Sequence, residues 1–214
     1  MKTNVMPWQA VFFDFDGVIA ASIEVKVQAF ATMFAPYGPA IQEQVIRYHL
    51  DNGGMPRYQK LRHCFGDIAG ISIDERELAR MGQLFADLVL EEVVAAPLIA
   101  GALPTLEQLR ESGTPAYVVS GTPHEEMQLI VQRKGLLSYF TEVHGSPRPK
   151  AVIVNEILDR SHYAPHQCLF IGDALADYQA ANATDLRFLG ITPEGQESIF
   201  PKGVPTSARV TLTL

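Results

Sequence analysis

Cysteine is scarce in this chain of 214 residues. Cys64 and Cys168 fit neither a zinc cluster nor a Cys-x-x-Cys redox pair, and both read as buried thiols in a reducing compartment. Long apolar runs are missing too, so no stretch approaches a membrane span. Ahead of Asp14 there is one lysine and no extended uncharged apolar run, which gives no recognisable leader peptide. Basic blocks are absent. With 17 Lys and Arg against 24 Asp and Glu the formal charge is −7, which argues against nucleic acid as a general partner. It leaves a phosphorylated substrate open, because a metal and a few local cations reverse the field inside a cleft. The expectation is a cytoplasmic protein with no membrane or nucleic-acid partner; the sequence does not speak to oligomeric state. What is present is ordinary: 47% hydrophobic and 19% charged, with length for one domain and a sizeable insertion.

The chain is organised around Val11-Phe12-Phe13-Asp14-Phe15-Asp16-Gly17-Val18. A short apolar run that ends in a turn signal reads as a buried strand. Carboxylates are rarely buried alone, and in open α/β sheets ligands bind at the carboxyl ends of strands. Asp14 and Asp16 lie two positions apart, on one face of an extended chain, where they repel and call for a cation. Mg²⁺ suits such a pair, because it takes oxygen ligands and commonly shares them with a substrate phosphate. A strand end with an Asx turn is the plainer alternative.

Beyond Gly17 the pattern is helical. Ile23, Val27, Phe30 and Phe34 recur at helical spacing, with Ser22 as the cap. A second helix spans roughly 40 to 51, Pro56 starts a third bearing Arg57 and Lys60, and Asp74 with Glu77 caps a long one carrying Leu78, Met81, Phe85, Leu88 and Val89. From Pro97 onward helices alternate with strand candidates at 116–119, 142–144, 168–171 and 187–189. Thr122 reads as the cap of the helix that follows the first of these. This alternation implies an α/β fold with a doubly wound, mostly parallel sheet. An all-helical block interrupts it after its first strand. The expected division is a core of residues 1–18 and 97–214 with an inserted helical cap of residues 19–96.

Polar residues recur at the carboxyl ends of these strands: Asp14 and Asp16, then Ser120, then Asp173 with Asp177 beyond it, and Lys150 opens a helix. This set resembles the haloacid dehalogenase-like superfamily over nearly the whole chain. Asp14-Phe15-Asp16-Gly17-Val18 matches its first motif, Ser120 the second, Lys150 the third, and Gly172-Asp173-Ala174-Leu175-Ala176-Asp177 the fourth, GDxxxD. An all-helical insert after the first motif is similar to the branch that includes phosphoglycolate phosphatase-like and β-phosphoglucomutase-like enzymes. The resemblance implies a Rossmann-like core and an Mg²⁺-dependent phosphatase acting on a small phosphorylated metabolite, such as a sugar phosphate. Asp14 would be the nucleophile forming an aspartyl-phosphate, and Asp16 the acid and then the base. Asp14, the Asp16 carbonyl and Asp173 would hold Mg²⁺, with Asp177 as a ligand or as support behind the ligands. Ser120, Gly121, Thr122 and Lys150 would line the phosphoryl site. Dehalogenases of the superfamily lack the metal-binding pattern and phosphonatases lack the second aspartate, so phosphate-ester chemistry is what the resemblance implies.

Several positions keep alternatives open. Arg148 rivals Lys150, and Ala21 stands where relatives commonly carry Asp. Gly54-Met55-Pro56-Arg57 is similar to a cap stretch of β-phosphoglucomutase-like proteins whose arginine reaches the distal end of the substrate. Arg57 and Lys60 are therefore candidates for a substrate anion, or solvated positions on a short helix. The rival functions are a phosphomutase on the same site and a non-catalytic sensor of phosphorylated metabolites.

Overall fold

The structure, a computed structural model, describes residues 8–214. Residues 1–7, which belong to the expected core and to the segment read for a leader, lie outside the described residues.

Five strands and one short tail segment form the sheet: β1 (Ala10–Phe13), β2 (Ala116–Pro123), β3 (Glu142–Ser146), β4 (Cys168–Gly172), β5 (Arg187–Ile191) and β6 (Thr206–Ser207). Their order is β3-β2-β1-β4-β5-β6, and every pair is parallel. The chain winds outward from β1 to β3, then returns to lay β4 on the other side of β1. The carboxyl end of β1 therefore faces the crevice where the winding reverses, the place where such sheets bind ligands.

Alternation along the strands divides the core. Val11, Phe13, Val118, Leu169 and Ile171 face α5 (Ala102–Ser112) and α6 (His124–Arg133), meeting Leu106, Leu109, Met127 and Ile130. Ala10, Phe12, Tyr117, Val119 and Phe170 face α7 (Lys150–Ser161) and α8 (Leu175–Ala183), meeting Ile153, Val154, Ile157 and Ala181. On that side the Phe12 ring stacks between Tyr117 and Phe170, at centroid distances of 5.1 and 6.4 Å.

Between β1 and α5 lie α1 (Ile23–Phe34), α2 (Pro39–Asp51), α3 (Arg57–His63) and α4 (Glu75–Ala95). Asp74 caps α4 as expected, its Oδ1 accepting from the Glu77 amide at 2.8 Å. Leu88 departs from its expected inward position and is 37% exposed. The buried stripe runs through Leu78, Met81, Gly82, Phe85, Val89 and Val93, and Leu88 falls just off its edge. Two segments lead into and out of this helical block side by side. The Ala21 amide donates to Pro97 O at 2.9 Å and the Ile99 amide to Ile19 O at 3.0 Å. The tail beyond β6 is tied to the core: the Trp8 indole donates to Leu212 O at 3.0 Å and the Val210 amide to Ala100 O at 2.8 Å.

Candidate active site

Strand pairing carries the carboxylates to one point. The Asp14 amide donates to Ile171 O on β4 at 2.9 Å, and Asp14 Oδ1 accepts from the Phe15 amide at 2.8 Å. Gly17 turns the chain away with φ +78°, and a Cβ there would stand 2.2 Å from Asp173 Oδ2. Glycine is thus required both by the left-handed backbone and by the close approach of Asp173. Ser120, Gly121 and Thr122 all belong to β2, Lys150 opens α7, and Asp177 lies buried in α8.

Lys150 settles between two acids. Its Nζ is 2.6 Å from Asp177 Oδ1 and 3.1 Å from Asp14 Oδ2, and burial is nearly complete on all three side chains. Asp177 Oδ2 accepts from the Ala174 amide at 3.1 Å, so both of its oxygens are engaged. Burial opposes the lysine's charge, but Asp14 and Asp177 outweigh it and hold the ammonium above its usual pKa. Arg148, the rival, is exposed and paired with Glu156.

One lysine does not neutralise three carboxylates. Asp14, Asp173 and Asp177 each place an oxygen within 4.8 Å of the others. Burial, then repulsion from Asp177, pushes the Asp14 carboxyl up to about 7. Burial, then Asp14, pushes Asp173 well above the usual carboxylate range. An all-oxygen donor set crowded with negative charge suits a hard divalent cation. All three carboxylates are candidates to hold such an ion, with Lys150 and a backbone amide already engaging both Asp14 and Asp177.

The Asp16 carboxylate is outside this cluster. The side chain turns to the helical block. Ser22 Oγ donates to Asp16 Oδ1 at 2.6 Å, Thr122 Oγ1 donates to Oδ2 at 3.2 Å, and Lys26 Nζ pairs with the same Oδ2. Lys26 Nζ also reaches Thr122 Oγ1 at 2.8 Å. Burial opposes the charge on Asp16, yet Lys26 and these donors hold its pKa below the usual carboxylate value. Two expected helix caps are thereby corrected. Ser22 and Thr122 spend their hydroxyls on Asp16 instead of on backbone amides, because a hydrogen bond to an ionised acceptor is the stronger one. Ser120 Oγ accepts from the Thr122 amide at 3.1 Å, which aims the loop rather than capping a helix. Sequence reading missed Lys26. Its position on α1 resembles any solvated helix residue, and only the fold brings it to Asp16.

The helical block covers the other side. Gly53, Gly54 and Met55 lie over the strand ends so closely that a Cβ on Gly121 would stand 2.5 Å from Gly54 O. Arg57 does not hold out a free guanidinium. It forks onto Glu126 of α6, donates to Gly82 O at 3.3 Å and lies 4.6 Å from the Phe85 ring centroid. The expected anion-reading arginine is a buried tie between α3 and α6. Lys60 is also buried, its Nζ 2.9 Å from His49 Nδ1. Burial, then Lys26, lowers its pKa to about 7, and burial, then Lys60, lowers that of His49 to about 3. Asp14, Asp16, Gly121, Thr122, Asp173, Arg57 and Lys60 line one cavity of about 460 Å³. Ser120 and Lys150 border a neighbouring cleft beneath Gly54 and Met55.

Among the described residues no helix is long and apolar enough to cross a membrane. The family model for haloacid dehalogenase-like hydrolases matches residues 8–185. A phosphoglycolate phosphatase of Rhodobacter capsulatus is 28% identical over 213 residues, covering 94% of this chain and 91% of that protein. The validoxylamine A 7'-phosphate phosphatase of Streptomyces hygroscopicus subsp. limoneus is 23% identical, with 86% of each chain covered. In fold, CbbY from Rhodobacter sphaeroides, solved with phosphate, superposes with a TM-score of 0.71 over 94% of each chain at 15% identity. The acidic crevice at the winding reversal and the match over most of the length agree: the chain belongs to the haloacid dehalogenase-like hydrolases, among the phosphatases of that family.

Proposed function

We propose that this enzyme hydrolyses a small phosphorylated metabolite through an aspartyl-phosphate on Asp14, with Mg²⁺ as cofactor. The observation that carries the reading is the division of labour between two carboxylates two residues apart. Asp14 lies in the acidic cluster against Lys150, whereas Asp16 is held aside by Ser22, Thr122 and Lys26. A nucleophile and an acid/base need such different surroundings. The Asp14 carboxylate attacks phosphorus as the ester P–O bond breaks, and Asp16, which Lys26 holds ionised in the resting site, must first take up a proton to give to the departing oxygen. Asp16 then takes a proton from water, whose oxygen attacks phosphorus as the bond to Asp14 breaks. Lys150, Ser120 and the Gly121 amide face the phosphoryl oxygens. Mg²⁺, held by Asp14, Asp173 and the Asp16 carbonyl, would offset the repulsion between carboxylate and phosphate. Residues 53–55 lie over the strand ends, where they would shield the reacting groups from bulk water.

Phosphate release from a panel of phosphorylated metabolites, with Mg²⁺ or with EDTA, tests this. Metal-dependent release is the expected result, and no release even from an aryl phosphate would remove the phosphatase reading.

Two predictions arise here. A group whose folded pKa is raised contributes stability below its unfolded pKa and loses it as pH climbs through the folded value. The metal-free protein should therefore lose stability as pH rises through about 7, where Asp14 ionises beside its neighbours. Mg²⁺ binds the ionised form, so it should raise Tm more at pH 8 than at pH 6; its full stabilisation at a hundredfold excess over Kd is roughly 2.7 kcal/mol. An equal Mg²⁺ shift at both values would contradict a site built on Asp14 and Asp173. The second concerns Lys26. Lys26→Met removes the cation that stabilises ionised Asp16, so the limb of the kcat/KM profile that Asp16 governs should move to higher pH. An unmoved profile would separate Lys26 from the acid/base.

A further inference from the structure

The mouth of the cavity carries a pattern that phosphoryl transfer does not use. Its lining includes Ile23, Leu50, Leu175 and Ile199, which are 39%, 54%, 40% and 58% exposed. Single exposed apolar side chains are ordinary, but four around one opening form a patch. They come from α1, α2, α8 and the segment after β5, so folding converges them from separate parts of the chain. A carboxylate accompanies three of them: Glu24 beside Ile23, Asp51 beside Leu50, and Glu197 two residues before Ile199. All three acids are exposed and line the cavity, and among the described residues none is in a salt bridge. Two cations further in are paired with acids, Lys26 with Asp16 and Arg57 with Glu126, while Lys60 is buried against the neutral His49. The mouth is thus apolar and negative, and the cations of the lining lie deeper.

We infer that the leaving group of the natural ester is a bulky aminated ring, cationic at the end distal to the phosphate. Ile23, Leu50, Leu175 and Ile199 cover its apolar face, and Glu24, Asp51 and Glu197 read its charge. A cavity of about 460 Å³ holds a ligand of that size, whereas a short acid would leave the mouth unused. A distal carboxylate or second phosphate held at the mouth would meet three carboxylates. This inference rests on the phosphatase reading above.

The test compares three esters of one size: glucosamine 6-phosphate, glucose 6-phosphate and 6-phosphogluconate, with an aryl phosphate alongside. The expected order of kcat/KM is amine above neutral above acid, with about tenfold or more between the ends, the sum of a few exposed charge contacts. Raising salt should compress the spread, and so should Asp51→Asn or Glu197→Gln. Release that ranks the acid equal to or above the amine overturns this inference and leaves the phosphatase standing. A spread that neither salt nor the two variants compress overturns it as well. No release from any ester, the aryl phosphate included, overturns the phosphatase reading and this inference with it.

Discussion

Asp14→Asn is expected to abolish phosphate release, by about four orders of magnitude or more, while the protein remains folded. The amide keeps the shape of the carboxylate and can still accept from the Phe15 amide, but it is a far weaker nucleophile. The same substitution should leave the metal-free protein as stable as before or more so. Asp14 pays for burial and for the nearness of Asp177, and Lys150 offsets only part of that cost. Removing one of three crowded charges relieves the other two. The stabilisation by Mg²⁺ should shrink in parallel, because the ion loses an anionic ligand. Phosphate release and thermal unfolding with and without Mg²⁺ check all three effects. Turnover within tenfold of the parent would remove Asp14 as nucleophile whatever the stability does.

Lys150→Ala is the second large effect, and it should strike stability and activity together. Lys150 is buried between Asp14 and Asp177 at 3.1 and 2.6 Å. Truncating it leaves buried carboxylates without their internal cation, which typically costs about 3–5 kcal/mol. For a chain of this size that is a fall in Tm of roughly 6–20 °C. Mg²⁺ should recover part of it by neutralising the same cluster. Phosphate release should fall by about 10²–10³, the usual cost of one charged group facing the transition state. Arg148→Ala supplies the contrast. Its pair with Glu156 is exposed, and surface pairs contribute about 0–1 kcal/mol. An Arg148→Ala protein more damaged than Lys150→Ala would reverse the assignment of the third motif.

Much of this arrangement was legible before the fold. β1, β2 and β4 could be read because each holds a short apolar run closed by a turn residue. Asp14, Ser120 and Asp173 could be read because each follows such a run directly, so strand order alone brings them together. Lys150 and Arg148 could not be separated, since both are basic residues at the start of one helix and only burial distinguishes them. Ser22 and Thr122 looked like caps because their positions fit the local rule. The local rule loses here to an ionised acceptor that neither local pattern reveals, Asp16. Arg57 was legible as a cation of interest, but its partner Glu126 lies 69 residues away on α6, a contact no local pattern encodes. Ile23 shares its helical spacing with Val27, Phe30 and Phe34. It stands 39% exposed at the cavity mouth, because the helix face it shares turns partly toward the opening. The tail went unread since β6 is only Thr206–Ser207, too short for any periodicity.

The central claim is that phosphate passes through Asp14. Enzyme mixed with excess substrate and Mg²⁺, quenched in acid within milliseconds and digested, should carry an added phosphoryl mass on the peptide between Lys2 and Lys26, at Asp14. The Asp14→Asn protein should carry none. Steady phosphate release with no phosphoryl group on that peptide at any quench time, in conditions where a control acyl-phosphate survives, would contradict the account and point to direct attack by water.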